Sequence, residues 1–107
     1  MRVVFVETHA FTVSIRKLLP DDSYRLLQTA IASAPDLGAV VPGTGGIRKV
    51  RWAGSGRGKR GGIRVLYFRH RASRTTLFLF AFAKAETDDL SATQKASLRR
   101  VIEKEFP

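Results

Sequence analysis

The sequence contains no cysteine, only two histidines, and no acidic residue between Leu37 and Ala85. Without cysteine the chain has neither a disulfide nor a zinc ribbon, and thiol catalysis is excluded. His9 and His70 alone do not assemble a typical zinc site, so we expect no metal and no other cofactor. The first apolar run, residues 3–6, is too short for a signal-peptide core, and no run reaches membrane-spanning length. These absences indicate a soluble intracellular protein with no membrane partner.

The acid-free segment carries most of the positive charge. It holds eleven of the nineteen Lys and Arg residues, whereas the rest of the chain has eight basic and nine acidic residues. The formal net charge of +10 therefore arises in the middle of the chain. Such a concentration is typical of a protein that binds nucleic acid or another polyanion, because a merely soluble surface intersperses both signs.

A length of 107 residues and an apolar fraction of 44% predict one folded domain over residues 1–107. The hydrophobic periodicity predicts the order β-α-α-β-β-β-α, an α+β fold with helices packed on one side of a small, mainly antiparallel sheet. The predicted elements are a strand at 3–6, helices from Thr8 to Pro20 and from a cap at Asp21 or Asp22 to Pro35, a loop at 36–46, strands at 47–52, 63–69 and 77–83, and a last helix opened by the capping box Ser91-x-x-Gln94.

The strands at 47–52 and 63–69 form a predicted basic hairpin. Alternation places Lys49 and Arg51 on one face of the first strand, opposite the face that the helices can cover. Val50 and Trp52 take the other face, so we interpret Trp52 as a core residue rather than a platform for a base. In the returning strand, Arg64 shares a face with Leu66 and Phe68, while Val65 and Tyr67 take the other face.

A glycine-rich loop joins the two strands. Its Gly56-x-Gly58-x-x-Gly61 run matches the dinucleotide-binding fingerprint, but that motif opens a helix, whereas this run leads into a strand. The loop does not match a P-loop either, because Arg60 stands where a P-loop has Ser or Thr. Both nucleotide-binding interpretations are therefore rejected. The glycines allow close backbone approach, and we predict that Arg57, Lys59 and Arg60, together with Arg48, bind RNA phosphates. A solvent-exposed hairpin tip is an equal alternative for any one of the loop cations.

Neither a Ser-His-Asp triad nor a carboxylate pair is visible. A basic cluster can support RNA cleavage, which needs a base for the 2'-hydroxyl, positive charge beside the phosphorane, and an acid for the 5'-oxygen. A lysine crowded by other cations is suited to the base role, because its pKa is depressed. From the residues alone, the prediction stops at a polyanion-binding domain.

Four runs of residues carry a resemblance to a known family. They are Val4-Phe5-Val6-Glu7, Gly45-Gly46-Ile47-Arg48-Lys49-Val50-Arg51, Gly58-Lys59-Arg60-Gly61-Gly62-x-Arg64-Val65-x-Tyr67, and Phe82-Ala83-Lys84-x-Glu86-x-x-Asp89-Leu90-x-x-x-Gln94. In these runs the chain resembles the HigB-like branch of the RelE/ParE toxin superfamily. The resemblance implies a toxin of a type II toxin-antitoxin system in the bacterial cytoplasm. It further implies a metal-free mRNA endonuclease that acts in the ribosomal A site and arrests growth.

The resemblance also implies partners and roles. The partners are the ribosome, mRNA and a cognate antitoxin, which is often a helix-turn-helix protein encoded in the adjacent gene. The toxin would contact operator DNA only through this antitoxin. Lys49 and Arg51 match family positions for substrate-phosphate binding and the base role, and Arg64 matches the arginine that stabilises charge on the scissile phosphate. Lys84 matches the lysine that closes the last strand, within reach of the same face.

The chain departs from RelE after Lys84, where Ala85 and Glu86 follow instead of an arginine, and its last helix has no tyrosine. The identity of the general acid and base therefore stays open. Other functions stay open too: a non-catalytic RNA- or ribosome-binding module, a ParE-like gyrase inhibitor, or a degraded relative that only binds antitoxin. The basic cluster argues against the gyrase function, because ParE-like proteins generally lack such a cluster.

Overall fold

The computed structural model describes residues 3–53, 62–83 and 90–107. Its elements are β1 (Val4–Glu7), α1 (His9–Leu18), α2 (Asp21–Ser33), β2 (Ala39–Val40), β3 (Arg48–Trp52), β4 (Ile63–His70), β5 (Thr75–Ala83) and α3 (Ala92–Glu105). The α+β class and the predicted order are confirmed, with one addition. The predicted loop at 36–46 contains the two-residue strand β2, which is too short and too exposed for an apolar pattern to reveal.

Within these described residues, five strands form one sheet in the order β1-β5-β4-β3-β2. β1 runs parallel to β5, and the other neighbouring strands are antiparallel. In the β3–β4 register, Lys49 lies opposite Leu66, and Arg51 lies opposite Arg64. The predicted basic hairpin is therefore formed by two adjacent strands, each of which has a neighbouring strand on either side.

The helix starts follow from local chemistry. The Thr8 side chain caps α1 by accepting a hydrogen bond from the backbone N–H of Phe11 at 3.0 Å. The predicted capping box of α3 is confirmed, with both reciprocal hydrogen bonds between Ser91 and Gln94. The predicted aspartate cap of α2 is wrong, because the N-cap is Pro20 and both aspartates lie inside the first turn. There they favour the helix through its positive N-terminal dipole rather than by capping it.

The two faces of the sheet are covered by different helices. Phe11 and Ile15 of α1 and Leu27 and Ile31 of α2 pack in one cluster with Tyr67 of β4. The predicted core positions of Tyr24 and Trp52 are confirmed, since both pack against this cluster. The prediction that the helices share one side of the sheet holds for α1 and α2.

For α3 that prediction is wrong. Leu98 and Ile102 of α3 pack against a second cluster that includes Leu66 and Phe82, as does Phe106, the residue that follows the helix. The physical reason is that β4 and β5 are apolar on both faces, so the second face also needs a cover. As a consequence, α3 shares a face with Lys49, whose cross-strand partner Leu66 belongs to this second cluster.

Candidate functional site

The β3–β4 register brings three of the predicted site residues onto one face of the sheet. Directly opposite residues of an antiparallel pair point to the same side, so Arg51 and Arg64 share a face with each other and with Lys49. Lys49 and Arg51 are two residues apart on β3, which separates their backbones by about 6.6 Å at ~3.3 Å per residue. We call these three side chains the Lys49 surface.

The three cations of the Lys49 surface differ in exposure. Arg51 is exposed, Lys49 is half-buried, and Arg64 is only 5% exposed. Arg64 lies between two neighbouring strands, with Arg51 opposite on β3 and Phe82 opposite on β5. One exposed and one buried arginine therefore stand side by side on this face of the sheet.

Lys49 borders a groove of about 390 Å³ that contains a second lysine, Lys95 of α3. The remaining lining is mostly apolar and consists of Ala39, Val40, Val41, Pro42 and Leu90. A groove with ammonium groups and apolar walls suits a nucleotide unit, because the phosphate pairs with the cations and the base or sugar contacts the walls. In the sequence, Lys95 belongs to a row of cations on the last helix that is typical of a solvated face, and only the position of α3 brings it to this groove.

The wall of the groove is held by a network of hydrogen bonds. The buried Thr44 hydroxyl donates to the carbonyl oxygen of Val41 at 2.6 Å and accepts from the Ile47 N–H at 3.1 Å. The Arg99 guanidinium donates to the Gly43 carbonyl oxygen at 3.2 Å and so ties α3 to the same loop. These contacts fix the segment that faces Lys49.

Arg48 lies on the opposite side of β3 from Lys49. Its guanidinium donates to the carbonyl oxygens of Asp36 at 2.9 Å and Gly38 at 3.1 Å. The Tyr67 hydroxyl donates toward the carbonyl oxygens of Leu37 at 2.6 Å and Pro35 at 3.0 Å, and burial raises the pKa of Tyr67. Arg48 therefore fastens the segment after α2, and the structure does not bring it to the Lys49 surface.

The other predicted site residues, Arg57, Lys59, Arg60 and Lys84, lie outside the described residues. Among the described residues, the side chains of His, Asp and Glu form no cluster of three that could hold a metal ion. No helix of the described ranges is long and apolar enough to cross a membrane.

The sequence reasoning missed a second group of cations. Arg69, Arg71 and Arg74 join Arg48 around a cavity of about 510 Å³ at the β4–β5 turn, and Asp36 also lines it. The cations were visible in the acid-free segment, and strand parity would have placed Arg69 on the side of Tyr67. The sequence does not show that these arginines line one cavity with Asp36, because that depends on how the segment after α2 packs against this turn.

A family model described as the RelE toxin of the RelE/RelB toxin-antitoxin system matches residues 5–106. The match begins within β1 and extends beyond the end of α3, so it takes in the N-terminal helices as well as the basic hairpin. It also spans all the strands that carry the Lys49 surface. A toxin of this kind is paired with an antitoxin, so an antitoxin partner follows from the match. The chain therefore belongs to the RelE toxin family and is the toxin of a toxin-antitoxin system.

Proposed function

We propose that this RelE-family toxin is a ribosome-dependent mRNA endonuclease of the HigB-like branch. In this proposal Lys49, Arg51, Arg64 and Lys84 form its reaction surface, and it acts in the bacterial cytoplasm. One observation carries the proposal. An exposed and a buried arginine form one cross-strand pair on the face that also carries a half-buried lysine. A cognate antitoxin, of the helix-turn-helix type and encoded in the adjacent gene, silences it.

The proposed reaction is a transesterification. The 2'-oxygen of the mRNA attacks the adjacent phosphorus, the bond to the 5'-oxygen breaks, and a cyclic phosphate and a free 5'-hydroxyl result. A base takes the proton of the 2'-hydroxyl, and an acid delivers a proton to the 5'-oxygen. Between these steps, negative charge accumulates on the phosphorane oxygens and needs fixed cations.

The described cations of the Lys49 surface suit different parts of this reaction. Lys49 is half-buried in a groove that it shares with Lys95, and its role in proton transfer is carried over from the family position that it matches. Arg51 is exposed and suits binding of a neighbouring phosphate, whereas Arg64 is buried on the same face and suits stabilisation of charge on the scissile phosphate. Lys84 directly follows β5, the strand next to β4, and its role is carried over from the resemblance alone.

The test is cleavage of a defined mRNA on programmed ribosomes, mapped by primer extension. Lys49→Ala should lower the cleavage rate by about a hundredfold or more, because loss of a general acid or base typically costs 10²–10⁴. Arg64→Lys keeps a charge but loses the planar fork, so it should also slow cleavage. Arg25→Ala is the control, because Arg25 is an exposed cation on α2, away from the Lys49 surface.

Each variant is compared with the parent by circular dichroism and thermal melting, so that loss of cleavage is separated from loss of fold. Cleavage that persists in folded Lys49→Ala and Arg64→Lys variants would reject these assignments.

The burial of Arg64 at 5% exposure, together with the departures from RelE at Ala85 and Glu86, favours one second candidate. It is a module that binds RNA or the ribosome without cleaving it. This candidate predicts inhibited translation with intact mRNA in the same assay. A purified gyrase supercoiling assay covers the ParE-like alternative, which predicts inhibited supercoiling with intact mRNA.

A further inference from the structure

Among the described residues, four arginines line one cavity at the end of the β3–β4 hairpin remote from the Arg51–Arg64 pair. They are Arg48, Arg69, Arg71 and Arg74, and we call the cavity the arginine pocket. Arg69 lies five residues beyond Arg64 on β4, about 16 Å along the strand at ~3.3 Å per residue. The arginine pocket is therefore separate from the Lys49 surface.

The described lining of the arginine pocket leaves its positive charge largely uncompensated. Its carboxylate, Asp36, lies 3.6 Å from the Arg48 guanidinium and 3.8 Å from that of Arg71. The Asp36 side chain is 71% exposed and that of Arg71 is 84% exposed, so water weakens the ion pair between them. Guanidinium groups do not lose their protons in proteins, so the pocket keeps a net positive charge and attracts anions from solution.

Arg69 adds an observation that points to a ligand. Its Nε and Nη1 atoms are buried, and neither has a hydrogen-bond partner among the described residues. Buried donors of a charged group are costly to leave without an acceptor. An anion bound in the pocket that Arg69 lines would provide acceptor oxygens for these two donors.

The backbone of Arg74, which also lines the arginine pocket, is strained. Arg74 has φ of 53° in the turn between β4 and β5, a left-handed conformation that suits glycine better. Its carbonyl oxygen accepts from the Val4 N–H at 3.1 Å, and its N–H donates to the Arg71 carbonyl oxygen at 3.1 Å. The turn conformation is thus fixed from both sides, and an arginine at this position adds charge to the pocket at the expense of backbone strain.

We propose that the arginine pocket binds a backbone phosphate of RNA, at a site separate from the Lys49 surface. Planar guanidinium forks match the oxygens of phosphate, and several of them together suit a repeating anion. RNA is favoured over an acidic peptide because the four arginines belong to the acid-free segment, whose concentrated charge is typical of a nucleic-acid binder. The inference rests on the proposed function only in taking RNA as the ligand, and it does not require cleavage.

Two measurements on the full chain test this proposal. The first follows the Nε–H resonances of arginine by NMR while inorganic phosphate is added. The Arg69 resonance should shift in a saturable way, because its Nε gains an acceptor. The second follows the anisotropy of a fluorescent single-stranded RNA with 2'-O-methyl groups, which cannot undergo attack by its 2'-oxygen. Binding is thereby measured independently of cleavage, so failure of the proposed nuclease function would not affect the result.

The variants are Arg69→Gln and Arg74→Gly, with Arg25→Gln as a control of equal charge on exposed α2. Each pocket variant should weaken RNA binding at least about threefold more than the control and lower the salt slope by ~0.7. Arg74→Gly should also raise the melting temperature, because glycine relieves the strained backbone conformation. Misfolding therefore cannot account for its weaker binding.

Three outcomes would overturn the proposal. In the first, Arg25→Gln weakens RNA binding as much as the pocket variants do, which shows only a general charge effect. In the second, phosphate leaves the Arg69 resonance unmoved. In the third, an oligoglutamate peptide binds the parent chain but not Arg69→Gln, while RNA binds both equally, which would assign the pocket to an acidic protein segment instead.

Discussion

Arg51 and Arg64 stand directly opposite each other on β3 and β4, so two like charges share one cross-strand position. Like charges directly opposite in an antiparallel pair destabilise the sheet. Burial of Arg64 strengthens this effect, because water screens the charge less well in the interior. We therefore expect repulsion between the two guanidinium groups to oppose folding at this cross-strand position.

Replacing Arg51 with glutamine should therefore separate stability from function. In Arg51→Gln the repulsion with Arg64 disappears, and we expect the free energy of unfolding to stay equal or rise by about 0.2–1 kcal/mol. Ribosome-dependent cleavage should fall in the same variant, because a phosphate contact is lost. Urea denaturation measures the stability, and Lys49→Gln is the control because the cross-strand partner of Lys49 is Leu66 rather than a cation. A clear loss of stability in Arg51→Gln would show that repulsion is not the dominant interaction of the pair.

Gly38 should be intolerant of a side chain because of its contact with β3. It has φ of +86°, and a Cβ atom there would lie 2.5 Å from the carbonyl oxygen of Lys49. Gly45 is a matched control, because its φ is +79° but an added Cβ meets no described atom within 4 Å. Both alanine variants should lose about 1–2 kcal/mol to the left-handed conformation. Gly38→Ala should lose more and also slow cleavage, because β3 must shift at Lys49.

Thermal melting and chemical denaturation of the two glycine variants check this prediction. Equal losses for Gly38→Ala and Gly45→Ala would mean that the contact with Lys49 adds nothing to the conformational cost.

The capping box of α3 should contribute to stability and to the groove beside Lys49. Ser91→Ala removes the side-chain acceptor of the Gln94 N–H, which should cost about 1 kcal/mol. Hydrogen exchange should then quicken in the first turn of α3, the part of the helix that carries Lys95 to the groove. Ser97→Ala is the control, because Ser97 is exposed in the same helix and its hydroxyl accepts a local hydrogen bond from Arg100. Similar losses in the two variants would contradict the role of the cap.

Tyr24 should make the fold sensitive to alkaline pH. Its hydroxyl donates to the Glu7 carboxylate at 2.5 Å, and burial, together with this hydrogen bond and the negative charge of Glu7, raises the pKa of Tyr24. The neutral phenol is therefore favoured in the folded state. Its contribution to stability is complete below the unfolded pKa of about 10, and it is lost as pH rises beyond that value.

Tyr24→Phe should lose about 1 kcal/mol at neutral pH, because the Glu7 carboxylate loses a donor. Above pH ~10 the variant should lose stability less steeply than the parent, because the titrating phenol is gone. Denaturation at several pH values from neutral to alkaline measures both effects. Tyr67→Phe is the comparison, because burial raises the pKa of Tyr67 too, but without contact to Glu7. An unchanged alkaline slope in Tyr24→Phe would show that Tyr24 does not titrate with unfolding.

Most of the secondary structure could be predicted from the sequence, because it depends on local properties. The strands in the middle of the chain follow from β-branched and aromatic runs, and the start of α3 follows from Ser91 and Gln94. The errors arose where local signals allow more than one outcome. An aspartate suits both a cap and a first turn, which is why Asp21 was misassigned.

By itself, the sequence determined the location of the positive charge and the shared face of Lys49 and Arg51, because side chains alternate along a strand in any sheet. It also carried the motifs of the RelE family. Only the tertiary structure decided that Arg64 stands opposite Arg51, since strand register is a property of two segments together. It also decided that α3 brings Lys95 beside Lys49 and that Asp36 meets the arginines of the β4–β5 turn. These contacts join residues far apart in the chain, and the packing of helices and loops on the sheet brings them together.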